Sequence, residues 1–456
     1  MKKLLIIATL AAVGMGACSK DDGVSAPEDL RKYVQVTIPE NAASGETRTS
    51  VDGTTTSWVA GDRVAVSLYN GSTTEVCEFT ADRTGATTTF SGSVPVGSYT
   101  CAAAHYPFCA ATFDAVNKTF THTWGDAYCS TDLAAYDFMF STVYETPFVV
   151  DETTTVLPIA LTFRPLMARI GMKLALGANE TPKYVTFTTD DNVLPTAGTV
   201  NADGTFSASA LTNTLTVETD RKEFTVGLLP VGVASKMSVH VTTTDGMTYS
   251  DKSFQLAGLK RNTHYTMNVP CRTKRFMLTV PDGVNSKYGT GTYKNNEFYS
   301  VDPATDPTGI FKDWYFYRAE LKNTTNAARG DKLKGKNRIQ LQVALGGNNS
   351  NNGAFVTAPI QCDGTKTVTV SFTAATNRAI SANYWIGVTD NGPITSDWLR
   401  DINKISPHAE GLIPRSDNVS HSHTFTVTNG QRIMVKVSNT LGEHHLEFAD
   451  FTYTVE

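Results

Sequence analysis

The chain has 456 residues with 39 basic and 44 acidic side chains, a net charge of −5, so its charge gives no reason to expect nucleic acid or an anionic membrane surface as partner. Only 18% of the residues are charged, and abundant threonine alternates with valine, isoleucine and aromatic residues, which points to β-structure. The length suits about three domains of ordinary size.

The chain starts with Met1-Lys2-Lys3 and an apolar run from Leu4 to Val13, too short to cross a bilayer as a permanent helix, and so reads as a secretory signal. Met15-Gly16-Ala17-Cys18 then sets small residues directly against a cysteine and resembles the lipobox of bacterial lipoproteins. That resemblance implies a diacylglycerol on the Cys18 thiol, cleavage before it with loss of residues 1–17, and acylation of the new amino group. Several acyl chains, at about 0.8 kcal/mol per buried methylene, anchor a chain firmly. Asp21-Asp22 after Ser19-Lys20 resembles the tag that sends such lipoproteins to the outer face of the outer membrane. Residues 18–456 number 439 and, with Lys2 and Lys3 gone, carry 37 basic and 44 acidic groups, a net of −7.

A polar tether, 18–32, leads into strand-like runs of period two. Val34, Val36 and Ile38 share one face, as do Val64, Val66 and Leu68, and Asp52-Gly53, Gly61-Asp62, Asn70-Gly71 and Val96-Gly97 mark turns. A first domain is expected over 33–155 and a second over 156–271. The second opens with a strand through Leu157, Ile159, Leu161 and Phe163, a corner at Pro165, and a strand resuming at Ile170, Met172, Leu174 and Leu176. It includes a hairpin turning at Asp245-Gly246. From 272 to 456 Asn- and Gly-rich loops separate very regular strands, with Ile339, Leu341, Val343 and Leu345, then Val368, Val370 and Phe372, then Ile433, Val435 and Val437 on single faces. Two short helices are expected, around Thr131 to Phe140 and Ser396 to Ile402. The fold class is all-β: two tandem sandwiches followed by a further sandwich or jelly roll.

Six cysteines remain beyond Cys18: Cys77, Cys101, Cys109 and Cys129 cluster, while Cys271 and Cys362 lie apart. Four cysteines allow three pairings, and sequence alone selects none of them. The absence of a C-x-x-C pair argues against a zinc knuckle or a redox motif.

Four segments in order, "TRTSVDGTTTSWVAGDRVAVSLYNG", "LTFRPLMARIGMKLAL", "EFTVGLLPVG" and "LAGLKRNTHYTMNV", make residues 33 to 271 similar to the fimbrillin family, the subunits of type V pili. The resemblance implies two β-sandwich domains, export as a lipoprotein, and cleavage after an arginine by a trypsin-like protease. Cutting frees the first strand, and a strand from a neighbouring subunit fills the groove it leaves. Here the cut would fall between Arg48 and Thr49, in a polar loop, with other fimbrial subunits as partners; if it is not made, the chain stays lipid-tethered. The segment 272–456 resembles galactose-binding and carbohydrate-binding modules, and a domain placed there would obstruct donation to a neighbour, as suits a subunit at the tip.

A glycan-binding face needs aromatic rings for sugar faces and polar groups for hydroxyls. Trp314, Tyr315 and Tyr317, Tyr384 and Trp385, and Trp398 are the candidates, with Trp314, Tyr317, Trp385 and Trp398 carried forward; most aromatics in a sandwich fill its core, and Trp398, in an expected loop, is the best placed. The spacing of "GDKLKGKN" matches a phosphate loop, but Asn337 stands where Ser or Thr would hold magnesium and a strand is expected to follow, so it reads as chance. Arg329-Gly330-Asp331 reads as a solvated turn. His421 and His423 share a strand face near His444-His445, a conceivable metal pair, though exposed histidines without function are commoner and no metal ligand is assigned. No G-x-S-x-G, H-E-x-x-H or marked carboxylate dyad points to catalysis, and no cofactor is called for.

Overall fold

The computed structural model describes residues 30–38, 58–279, 298–300, 311–322, 332–333, 335–343, 352–376, 381–390, 392–414, 418–438 and 445–456. Cys18, Arg48, Thr49, the Arg329-Gly330-Asp331 turn and His444 lie outside them. The described chain is all-β apart from short helical turns, and the alternating faces pack as expected: Val34, Val36, Ile38, Val64, Val66 and Leu68 are all fully buried.

A seven-stranded sheet dominates the first region, in the order 31–38, 88–95, 74–81, 63–69, 101–106, 139–141, 163–165. Three sheets cross the expected domain boundaries, the seven-stranded one by taking in Phe163–Pro165 beside Met139–Ser141. The hairpin formed by Thr112–Asp114 and Thr119–Thr123 leaves the first region and pairs with Leu194–Asn201, aligning Thr123 with Ala197 and Thr119 with Asn201. Phe113, Phe120 and Phe138 accordingly share a core with Met172 and Val200. At the other boundary the strand Lys274–Met277 pairs with both Thr248–Leu256 and His445–Val455, which joins the second and third regions in one ten-stranded sheet. A six-stranded sheet faces the third-region part of that sheet across a core that includes Trp314, Phe316, Phe355, Ile433, Val435 and Phe451.

The alternation from Leu157 to Phe163 buries its apolar side chains, yet only Phe163–Pro165 forms a regular strand there. Alternation reports which side of an extended chain faces the core; a ladder also needs a neighbour at hydrogen-bonding distance. The first helix spans just Leu133–Tyr136, capped by Asp132 accepting from the Ala135 N–H at 3.1 Å. It stops because Asp137 turns inward to the buried Arg169 at 2.6 Å and Met139–Ser141 joins the seven-stranded sheet. The second helix, Ser396–Arg400, is also shorter than expected.

His105 is fully buried, stacked on Phe138 at 5.7 Å, with Nε2 3.2 Å from the Cys109 carbonyl. Burial pulls its pKa down to about 4. The unfolded imidazole protonates near 6.5, so stability is fully present above that pH and declines as pH falls from about 6.5 to 4, by up to about 3 kcal/mol. Urea midpoints at pH 7 and 4.5 should therefore differ more for the wild type than for His105→Gln; equal shifts would discard this account. The six described cysteines are free thiols, five of them buried, and burial pushes the Cys129 thiol up to about 12.

Candidate functional site

The first strand, Arg31–Ile38, sits between two neighbours. On one edge it pairs antiparallel with Thr88–Pro95 over its whole length, from Arg31 opposite Pro95 to Ile38 opposite Thr88. On the other, the Gln35 N–H donates to the Thr155 carbonyl at 3.0 Å and the Leu157 N–H donates to the Gln35 carbonyl at 2.8 Å. The alternation Val34-x-Val36-x-Ile38 turns the three β-branched side chains into the core, while Tyr33 stays 68% exposed. Burying three such side chains contributes on the order of 5–9 kcal/mol. The strand is thus held by backbone pairing and an apolar trough. Its departure would expose both the trough and a row of unpaired N–H and C=O groups on 88–95.

Gly92 shapes the trough. It lies opposite Val34 on one side and Phe79 on the other, and a Cβ there would meet the Glu78 carbonyl oxygen at 2.5 Å and the Phe79 ring at 2.7 Å. Gly92→Ala is expected to cost about 1–3 kcal/mol of stability, read from urea denaturation; an unchanged midpoint would show that the ring can give way freely.

At the second boundary Lys274 is 1% exposed and its ammonium donates to Glu180 Oε1 at 2.7 Å, to Asp245 Oδ2 at 3.0 Å and to the Gln361 carbonyl. Tyr249 donates its hydroxyl proton to Glu180 Oε1 at 2.6 Å, and the Gln361 N–H donates to Asp245 Oδ2 at 3.2 Å. Asp363 of the third region accepts from the Ala178 N–H at 2.6 Å and the Asn179 N–H at 3.2 Å, and these contacts hold its carboxyl below the usual carboxylate range. Beside them lies a cavity of about 180 Å³ lined by Glu180, Tyr249, Cys271, Lys274, Cys362 and Asp363.

The sequence-expected ligand residues separate into two sets. Trp314 is fully buried in the third-region core, nearly parallel to Phe355 at 6.0 Å, so it offers no face to a sugar; this corrects the expectation. Tyr384 is also buried, its hydroxyl 2.8 Å from His423 Nε2. Tyr317, Trp385 and Trp398 do converge, with Tyr315, on the outer side of the six-stranded sheet, where Ser396–Arg400 covers Ala354, Val356 and Met434. There Tyr317 is 1% and Trp398 9% exposed, which corrects the expectation of open platforms; Trp385 and Tyr315 are half-buried at the rim. The physical reason is the helix itself. Thr395 accepts from the Trp398 N–H at 3.2 Å and starts a turn that folds Trp398 and Leu399 onto the sheet. Sequence reasoning missed the two cations among these rings, Arg432 and Lys436, because each alternates with core valines and isoleucines like any outward-facing residue. His421 and His423 stack in parallel 6.2 Å apart, and among the described residues no cluster of three histidine, cysteine or carboxylate groups suits a metal. The strand Arg338–Gln342 follows "GDKLKGKN" as expected.

Sheets that pack as sandwiches, with the first strand paired on both edges, define an all-β sandwich architecture. The model described as fimbrillin-like matches residues 47–283, just over half of the chain, and the chain belongs to that family. Membership gives it a fimbrial or adhesive role at the cell surface. Among solved structures, a candidate cell adhesion protein of Bacteroides uniformis is 17% identical, over 54% of this chain and 94% of that one, with a TM-score of 0.36. A fimbrial assembly protein of Parabacteroides distasonis is 9% identical over 54% and 95%, with a TM-score of 0.31. The tip fimbrial protein Mfa3 of Porphyromonas gingivalis, truncated at its C-terminus, is 13% identical over 55% and 96%, with a TM-score of 0.28. No protein with a curated description matches the chain.

Proposed function

We propose that this chain is a lipid-tethered subunit of surface fimbriae that joins other subunits by strand complementation, stands at the tip, and meets a glycan or protein through its third region. Cys18 carries the lipid and holds the chain to the outer membrane until cleavage between Arg48 and Thr49 releases the first strand. The observation that carries this reading is the seat of Arg31–Ile38, a trough of full strand length with hydrogen-bonding groups on both edges. The terminal position is supported by the route of the chain after the second region: it enters Lys274–Met277, a strand already paired on both edges, and so has no free donor strand there. Electron microscopy of labelled cells tests it: signal at filament ends is expected, and mass spectrometry should find a mature N-terminus at Thr49. A mature N-terminus at Cys18 would sink the processed-subunit reading.

A second reading, a monomeric glycan-binding surface lipoprotein that never polymerises, is favoured by one observation: the trough is filled by the chain's own strand. Label lying flat on the membrane would support it.

A further inference from the structure

The strand Phe206–Thr212 forms one rim of a four-stranded sheet and, among the described residues, pairs only with Leu194–Asn201. Every residue from Ser207 to Leu211 is exposed, Leu211 at 47%, so the strand is open on both faces as well as along its outer edge. The opposite rim of the same sheet, Thr112–Asp114, is three residues long and ends in an acid, and the rim Phe163–Pro165 of the seven-stranded sheet is as short and ends in proline. Short length, charge and proline keep a rim from pairing with other molecules. Phe206–Thr212 has seven residues, no charge and no proline. Its serines and alanines bury almost nothing, and such residues hold a strand poorly by themselves.

The charges at its two ends point to the partner. At the Phe206 end Arg164 donates to the Ala202 carbonyl at 3.3 Å and the Arg261 guanidinium lies against Gly204, with Asp203 beside them. Lys118, whose carbonyl accepts from the Ala202 N–H, is paired with Glu145, so this end is left positive. At the Thr212 end the Thr189 N–H donates to the Asn213 carbonyl at 2.9 Å, which places the exposed Asp190 and Asp191 there. Lys236, whose carbonyl accepts from the Asp190 N–H, offsets one of the two acids, so this end is left negative. We infer that Phe206–Thr212 is an interface between two copies of this chain, the two strands running antiparallel about a two-fold axis at Ser209. That pairing brings the positive end of each copy to the negative end of the other, whereas a parallel pair would set like against like. It also gives partners to the N–H and C=O groups along both outer edges, and the small side chains let the backbones meet. The interface is independent of the first strand and of its release.

Sedimentation equilibrium of the full chain tests it. The wild type should dimerise at about 100 µM, in the weak class that an interface this small supports, and rising NaCl should loosen the dimer. Ser209 is exposed, so Ser209→Lys and Ser209→Glu should fold normally. Each would meet its own like charge across the axis and should dimerise at least about tenfold more weakly. An equimolar mixture of the two should associate as well as the wild type or better, because lysine then faces glutamate. A wild type that stays monomeric at that concentration would overturn the inference. So would a Ser209→Lys dimer as tight as the wild type, which is what exchange of the first strand would give, and so would a mixture that fails to recover, since it would place the axis elsewhere.

Discussion

A chain that begins at Thr49 is expected to melt well below the full-length protein and to recover when a peptide of residues 30–38 is added. Without that strand, Val34, Val36 and Ile38 no longer fill the trough, a loss on the order of 5–9 kcal/mol, comparable with the whole stability of a typical domain. Backbone groups of Thr88–Pro95 and of Thr155 and Leu157 lose their partners as well. The first region should therefore lose about 10 °C or more in melting temperature and bind an apolar dye. The peptide should restore both signals, and the same peptide with Val36→Asp should not, since the charge would enter a fully buried position. A shortened chain that melts like the full one and ignores the peptide would show that the trough closes on itself, and strand complementation would lose its physical basis.

Lys274→Ala should be the most damaging single substitution at the junction of the second and third regions. It leaves Glu180 and Asp245, both buried, facing each other without their shared cation, and breaking a buried pair from one side costs about 3–5 kcal/mol. Urea denaturation followed by tryptophan fluorescence reads the loss, since Trp314 packs on Phe276 two residues beyond Lys274. The triple variant Lys274→Met, Glu180→Gln, Asp245→Asn removes all three charges together and should recover most of that loss. If Lys274→Ala unfolds like the wild type, the ion cluster does not hold the junction, and the shared sheet alone does.

The strands of the first region were legible because each buries one face: Val34-x-Val36-x-Ile38 and Val64-x-Val66-x-Leu68 could satisfy their apolar side chains in no other regular way. The turn at Asp245-Gly246 was equally plain, with Gly246 at φ +80°. Nothing local revealed that the same Asp245 accepts from Lys274 with its second oxygen, because that contact spans 29 positions. Trp314 and Trp398 looked alike as aromatic residues near polar loops, yet one lies in the core and the other on a short helix folded against the sheet.

Sequence alone determined the all-β class, the alternating faces, the turns and the family, since these follow from side-chain period and turn chemistry within a few residues. Tertiary structure alone decided that one sheet joins the second and third regions through Lys274–Met277, that Arg31–Ile38 is held on both edges, and that Arg432 and Lys436 are buried on the side of the six-stranded sheet where Tyr315 and Trp398 pack. The physical reason is distance along the chain: strand partners and buried charges are set by segments tens to hundreds of residues apart, and no local pattern encodes which of them meet.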